Sequence, residues 1–404
     1  MNRNADERRA GITWWLIALF LCVLVAVPSP GAPGPPPREA RSVILLIGDG
    51  MGAAQIEAAR WWRGGPDGEL QMDRLAVKDG LTRTRAALGM ITDSAAAATA
   101  LACGVKTIDG FVGIGPTFDR LTSIVELARH AGMAVGLVTT VPITHATPAG
   151  FGAHVGSRYE TDRIAEQLLQ GEIDVLLGGG ESGFVPPGAA SCHWCSDRRS
   201  DGRNLKDEAI AARYVVVCDA AAFAALDLGE TDRVLGLFAA DEMPMPYAPT
   251  LAEMTDVAIE ILSRDPDGFF LMVEGGQIDW ACHDNDAEWA IATTLGFDEA
   301  AGVAIDFADQ ERDVLVIVTA DHETGGMGVS TTATGAATED GPFSMPSGEA
   351  FYVTWSGDDH TARDVPTMGS GPGAERLSGT YENTWIFDVM IRALGLPDPR
   401  GPGH

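Results

Sequence analysis

Beyond residue 41 the chain alternates between short unbroken apolar runs and longer stretches with helical spacing. The runs at 43–47, 134–139, 175–177, 269–273 and 314–319 show no polar alternation, the mark of a strand buried on both faces. Between and beyond them the spacing predicts helices over 53–63, 94–103, 121–131, 161–169, 251–263, 286–307 and 384–394. Strand–helix alternation of this kind predicts an α/β fold, a three-layer α/β/α sandwich around a large, mostly parallel sheet. Segments 181–203 and 330–347 are rich in Gly, Ser, Pro and Thr and read as loop insertions over the sheet rim. Residues 42–404 then form one domain, with no internal repeat.

The first 41 residues follow another pattern. Arg3, Arg8 and Arg9 precede an apolar run over 12–27, and "PSPGAPGPPPREA" follows. Residues 1–28 read as a signal peptide or an N-terminal membrane anchor, and 29–41 as a Pro/Gly-rich linker. The protein is therefore expected outside the cytoplasm: periplasmic, secreted or membrane-tethered. The formal net charge of −29 repels nucleic acid, so no nucleic-acid partner is expected. An acidic protein that takes an anion must build a local positive site from arginines, helix N-termini or metals. Export permits disulfides. Cys192 and Cys195 fit a local disulfide, half a zinc site or two free thiols, whereas Cys103 and Cys282 read as buried small apolar residues.

The chemistry gathers where predicted strands end. Run 43–47 leads into Gly48-Asp49-Gly50, 269–273 into Glu274-Gly275-Gly276 and then Asp279, and 314–319 into Ala320-Asp321-His322. Ligands of open α/β sheets bind outside the carboxyl ends of strands. Carboxylates crowded there repel one another, and divalent cations are the simplest remedy. Asp279 and His283, four apart in "DWACH", share one face of a helical turn. Mixed Asp/His donors, with His360 of "GDDHTAR" as another nitrogen, suit zinc. Glu274 and Thr147 offer only oxygen, which suits magnesium.

Taken singly, each residue has a plainer reading. Asp49 alone is a turn or cap residue, His360 a surface histidine, and Asp279 with His283 a helix-surface pair. Their shared position at predicted strand ends lifts them above that. His154 reads as a packing or supporting residue near the site. Ser94 opens an alanine-rich helix in "ITDSAAAATA", with Asp93 before it and no histidine nearby in sequence. If it is a nucleophile, a metal must replace the missing base.

The segments "ILLIGDGMG", "ITDSAAAATALACGVKT", "THATPAGFGAHVGSR", "VEGGQIDWACH", "VTADHETGG" and "DDHTAR" together resemble the ordered motif set of the alkaline phosphatase family. The resemblance implies an exported, usually dimeric phosphomonoesterase with two Zn2+ ions and one Mg2+-type third site. Ser94 resembles the phosphorylated nucleophile, Arg158 the arginine that clamps phosphate, and Asp93 the residue that orients that arginine. Asp49, Asp321 and His322 resemble one zinc's ligands, and Asp279, His283 and His360 the other's. Glu274 and Thr147 resemble third-site ligands, with Asp49 bridging to that site.

Two positions depart from the pattern of the enterobacterial enzymes. His145 stands where those have a third-site aspartate, and Trp280 where they have a lysine near the phosphate. The His/Trp pair resembles that of some cold-adapted marine bacterial members. It removes a carboxylate and a cation together, which puts third-metal identity in question. Two other functions compete: a phosphodiesterase or sulfatase-like hydrolase of the same superfamily, and a non-catalytic metal- or phosphate-binding protein of the cell envelope.

Overall fold

A computed structural model describes residues 40–401 apart from residue 197. The expected N-terminal signal or anchor and most of the linker lie outside the described residues. Among the described residues no helix is long and apolar enough to cross a membrane.

In chain order the strands are β1 Ser42–Gly48, β2 Val77–Arg83, β3 Ala134–Pro142, β4 Val175–Gly179, β5 Val215–Val217, β6 Val234–Leu237, β7 Phe269–Gly275, β8 Val314–Ala320, β9 Glu323–Thr324, β10 Gly328–Ser330, β11 Glu339–Ser344, β12 Ala350–Thr354, β13 His360–Thr361, β14 Val365–Ser370 and β15 Gly379–Glu382. Ten of them form one sheet in the order β15-β2-β14-β8-β1-β7-β3-β4-β6-β5. All run the same way except β14, which is antiparallel to both neighbours.

The helices are α1 Ala53–Gly64, α2 Ser94–Cys103, α3 Ile124–His130, α4 Ala146–Gly152, α5 Thr161–Gln170, α6 Leu205–Ala211, α7 Ala220–Ala224, α8 Leu251–Leu262, α9 Gln277–His283, α10 Ala287–Glu311 and α11 Thr384–Ala393. Strand β1 shows how the layers arise. Ile44 and Leu46 enter a core with residues of α1, α8 and α10. Val43, Leu45 and Ile47 enter a second core with α2, α3, α4, α5 and α11. Side chains alternate across a strand, so a run apolar at every position requires helices on both faces. The structure is the mostly parallel α/β architecture the pattern predicts.

Three features differ from the sequence reading. Segment 330–347 contains β11, which joins β10 and β12 in a small antiparallel sheet. The third helix starts at Ile124 because Ser123 caps it, its Oγ accepting from Glu126 N while Glu126 returns a bond to Ser123 N. Cys192 pairs with Cys218 rather than with Cys195, which is a buried free thiol like Cys103 and Cys282.

The alanines of α2 have a packing reason. All ten of its residues are buried. A Cβ built on Gly150 of α4 would lie 2.8 Å from Ala98 Cβ, so the two helices touch almost backbone to backbone. We expect Ala98→Leu to cost ~1–3 kcal/mol or more by overpacking. Urea titration of wild type and variant checks this; an unchanged midpoint would show that the contact has slack.

Candidate active site

Register places the first acidic groups. Ile47 of β1 lies opposite Glu274 of β7 and Thr319 of β8, and Gly48 opposite Gly275 and Ala320. The next residues out of β1 and β8 are Asp49 and Asp321. Neighbouring strands lie about 4.8 Å apart, so three carboxylates stand side by side at one rim. Asp49, Glu274 and Asp321 are each fully buried. Gly50 takes a left-handed turn at φ 74°, which lets its N–H donate to Asp321 Oδ1 at 3.1 Å. A side chain there would meet Asp279 Cα at 2.8 Å.

Helix α9 follows β7 and brings Asp279 and His283 to the same place, with His283 Nε2 3.3 Å from Asp279 Oδ2. The two-residue strand β13 brings His360, whose Nε2 lies 3.2 Å from His283 Nε2 and 3.6 Å from Asp279 Oδ1. His322 Nε2 faces three oxygens at once: Asp321 Oδ2 at 3.2 Å, Ser94 Oγ at 3.3 Å and Asp49 Oδ1 at 3.5 Å. Such convergence of donors on a point suits a cation better than any hydrogen bond.

Ser94 sits at the first turn of α2. Asp93 caps that helix, its Oδ1 accepting from Ala96 N at 2.9 Å, and its Oδ2 accepts from Gly110 N and from Arg158 Nη1 at 3.2 Å. The second Arg158 amine lies 2.9 Å from His145 Nε2. His145 in turn stands edge-on to Trp280, ring centres 5.9 Å apart, with its Nδ1 4.0 Å from Glu274 Oε1.

Electrostatics mark the cluster as incomplete without positive charge. Burial, then the charges of Asp321, Asp279 and Glu274, push Asp49 well above the carboxylate range. Burial first, with Asp279 adding, raises Asp321 to about 6, and burial raises Glu274 to about 7. Burial also opposes ionisation of Asp279, yet the His283 hydrogen bond and the nearby histidines hold it low. Burial and then the Arg158 charge push His145 down to about 3. Both Asp49 oxygens, Asp321 Oδ2, Glu274 Oε1, His145 Nδ1 and Thr147 Oγ1 are buried with no hydrogen-bond partner. Orphaned buried acceptors are costly. Their donor set of carboxylate and imidazole fits divalent cations.

Within this cluster three groups have the spacing to hold such an ion: Asp279 with His283 and His360; Asp49 with Asp279 and His322; and Asp49 with His145 and Glu274. Asp49 and Asp279 each belong to two of them. The structure thus brings together every site residue named from the sequence except His154. That residue's Nδ1 bonds Gly113 O at 2.7 Å and its Nε2 lies 3.4 Å from Glu126, so its observed partners are packing partners.

Supporting residues escaped the sequence reading. Thr139 donates to Glu274, Thr324 donates to Asp279, and the Thr92 carbonyl holds His360 Nδ1 at 2.7 Å. Only Thr324 carried a signal, standing two residues beyond His322.

Comparison with known proteins gives the family. The family model described as alkaline phosphatase matches residues 40–345. The repressible alkaline phosphatase of Saccharomyces cerevisiae is 37% identical, covering 94% of this chain and 71% of its own. The streptomycin-6-phosphate phosphatase of Streptomyces griseus is 35% identical over 94% of this chain and 96% of its own. The alkaline phosphatase structure from the Antarctic bacterium TAB5 superposes with a TM-score of 0.76 at 32% identity, covering 89% of this chain and 99% of that one. A variant of that enzyme with one histidine replaced by glutamate holds Mg in its M3 site. A buried rim of metal-type donors around a helix-capped serine and an arginine, on this sheet and with these relatives, places the chain in the alkaline phosphatase family of phosphomonoester hydrolases.

Proposed function

We propose that the chain hydrolyses phosphate monoesters through a covalent phosphoserine at Ser94, with two zinc ions and a third, magnesium-type ion. The observation that carries the reading is the set of orphaned buried oxygens on Asp49, Asp321 and Glu274 around Ser94. Asp49, Asp321 and His322 would hold one zinc, and Asp279, His283 and His360 the other. Glu274, Thr147 and Asp49 would hold the third ion, with His145 alongside. When bound, such ions act as Lewis acids that lower the pKa of oxygens they contact and stabilise charge on phosphate.

The chain's own groups do the rest. Ser94 Oγ attacks phosphorus in line, the alcohol departs, and water then cleaves the phosphoserine to release phosphate. Two inversions give net retention at phosphorus. The first-turn N–H groups of α2 and its dipole favour an anion beside Ser94. Arg158 presents a planar fork to two phosphate oxygens, a task lysine does poorly. Asp93 fixes that fork from one side and His145 from the other. Trp280, stacked edge-on against His145, supplies no charge to the phosphate.

Export from the cytoplasm is part of this reading. The Cys192–Cys218 disulfide supports it, because such bonds persist in oxidising compartments.

Ser94→Ala is expected to lose at least ~10³-fold in kcat while binding its metals at wild-type stoichiometry; elemental analysis beside turnover checks both, and full activity would remove Ser94 from its role. Arg158→Ala should lower kcat/KM by ~10²–10³-fold with metal content intact, and an unchanged kcat/KM contradicts the clamp. His145→Asp adds a carboxylate beside Glu274 and should sharpen the response of rate to added Mg2+; an identical metal profile argues against a third ion there.

A further inference from the structure

Glu323 follows His322 directly, is only 1% exposed, and belongs to none of the groups with the spacing to hold an ion. The mechanism above leaves it unused. Side chains alternate along a strand, and β9 shows this. Thr324 points into the cluster, donating to Asp279 and standing 3.2 Å from His322 Nδ1. Glu323 points the other way, toward Gln55 and Thr361.

A carboxylate is seldom buried without partners. Here Met327 N donates to Oε1 at 3.1 Å, Gln55 Nε2 donates to the same oxygen at 3.3 Å, and the Thr361 hydroxyl donates to Oε2. Three donors meet two oxygens, whereas a carboxamide could accept at only one of its two ends. The donors come from three places: Gln55 from α1, Met327 from the turn after β9, and Thr361 from β13. The same Gln55 amide reaches Thr324 O at 2.9 Å and the sulfur of Cys282, the residue before His283, at 3.5 Å. The stem of Glu323 has no slack, since a Cβ built on Gly52 would lie 2.3 Å from its Cγ.

Strand β13 needs such an anchor. It consists of His360 and Thr361, set opposite Thr324 and Glu323. A two-residue ladder is a weak hold. Fixing the Thr361 hydroxyl fixes the backbone that carries the neighbouring imidazole. The Thr92 carbonyl then takes His360 Nδ1 at 2.7 Å, and Nε2 faces His283 and Asp279 at 3.2 and 3.6 Å. Asp49 and Asp321 are placed by the register of β1 and β8, in which β13 has no part.

Given the zinc assignment proposed above, we infer that Glu323 is a positioning residue for one metal group: through Thr361 it sets His360 against Asp279 and His283. It holds that group together without touching the ion, and the group around Asp49, Asp321 and His322 does not depend on it.

The test challenges full-length, zinc-loaded wild type, Glu323→Gln, Thr361→Val and Thr361→Ser with graded chelator while the retained Zn2+ is measured. Thr361→Val breaks the bond from its far end and leaves the residue beside His322 intact, so it decides the matter if Glu323→Gln fails to fold. We expect Glu323→Gln and Thr361→Val each to weaken one Zn2+ roughly tenfold and the other by less than about twofold, with Thr361→Ser matching wild type. His360→Ala identifies the ion: adding Thr361→Val to it should bring no further loss of zinc affinity, a result that general destabilisation would not give. Unchanged affinity, equal weakening of both ions, or a full further loss in the His360→Ala background overturns the assignment. Wild type that holds no zinc overturns the metal reading itself.

Discussion

Mutual repulsion among buried carboxylates is the constraint around which this protein is arranged. Asp49, Glu274 and Asp321 are delivered to one rim by the parallel register of β1, β7 and β8, and Asp279 joins them from α9. No arrangement of backbone donors satisfies them all. Gly50 and His322 supply N–H groups to Asp321, and Thr139 serves Glu274, yet Asp49 keeps both oxygens bare. Positive charge has to arrive from elsewhere. The same bare oxygens that burden the folded chain are the ones that would give metal affinity, because ligands held rigid and desolvated need no reorganisation.

The serine and arginine are positioned by economy of a different sort. Asp93 serves three partners: the first turn of α2, the Gly110 amide and Arg158. One side chain therefore fixes both the helix that bears Ser94 and the fork of Arg158. The alanines behind Ser94 extend that rigidity, since α2 lies against α4 with no room for side-chain motion. His145, on the loop into α4, closes the circuit by touching both Arg158 and Trp280.

The central strands were legible because burial on both faces leaves unbroken apolar runs, as in β1, β7 and β8. Outer strands were not. β2 reads VKDGLTR, with four exposed positions, and nothing in that pattern separates it from a loop. β6 is fully buried but only four residues long with a glycine inside. The rim residues were legible for the same reason as the central strands, since each follows a readable run. His360 is different: it lies in "GDDHTAR", past the residues matched by the family model, and its placement depends on pairing that no local pattern reveals. The partner of Cys192 was equally hidden, because β5 brings Cys218 alongside it only after folding.

The strand that carries His360 also says something about the order in which the molecule becomes competent. β13 has two residues and, among the described residues, pairs only with β9, with Thr361 further pinned to Glu323. A chain emerging from its amino end displays Ser94, Asp49 and Arg158 long before that histidine exists. One imidazole, carried by a segment that follows every other residue of the cluster in the chain, therefore leaves the cluster unfinished until that segment has been made and docked.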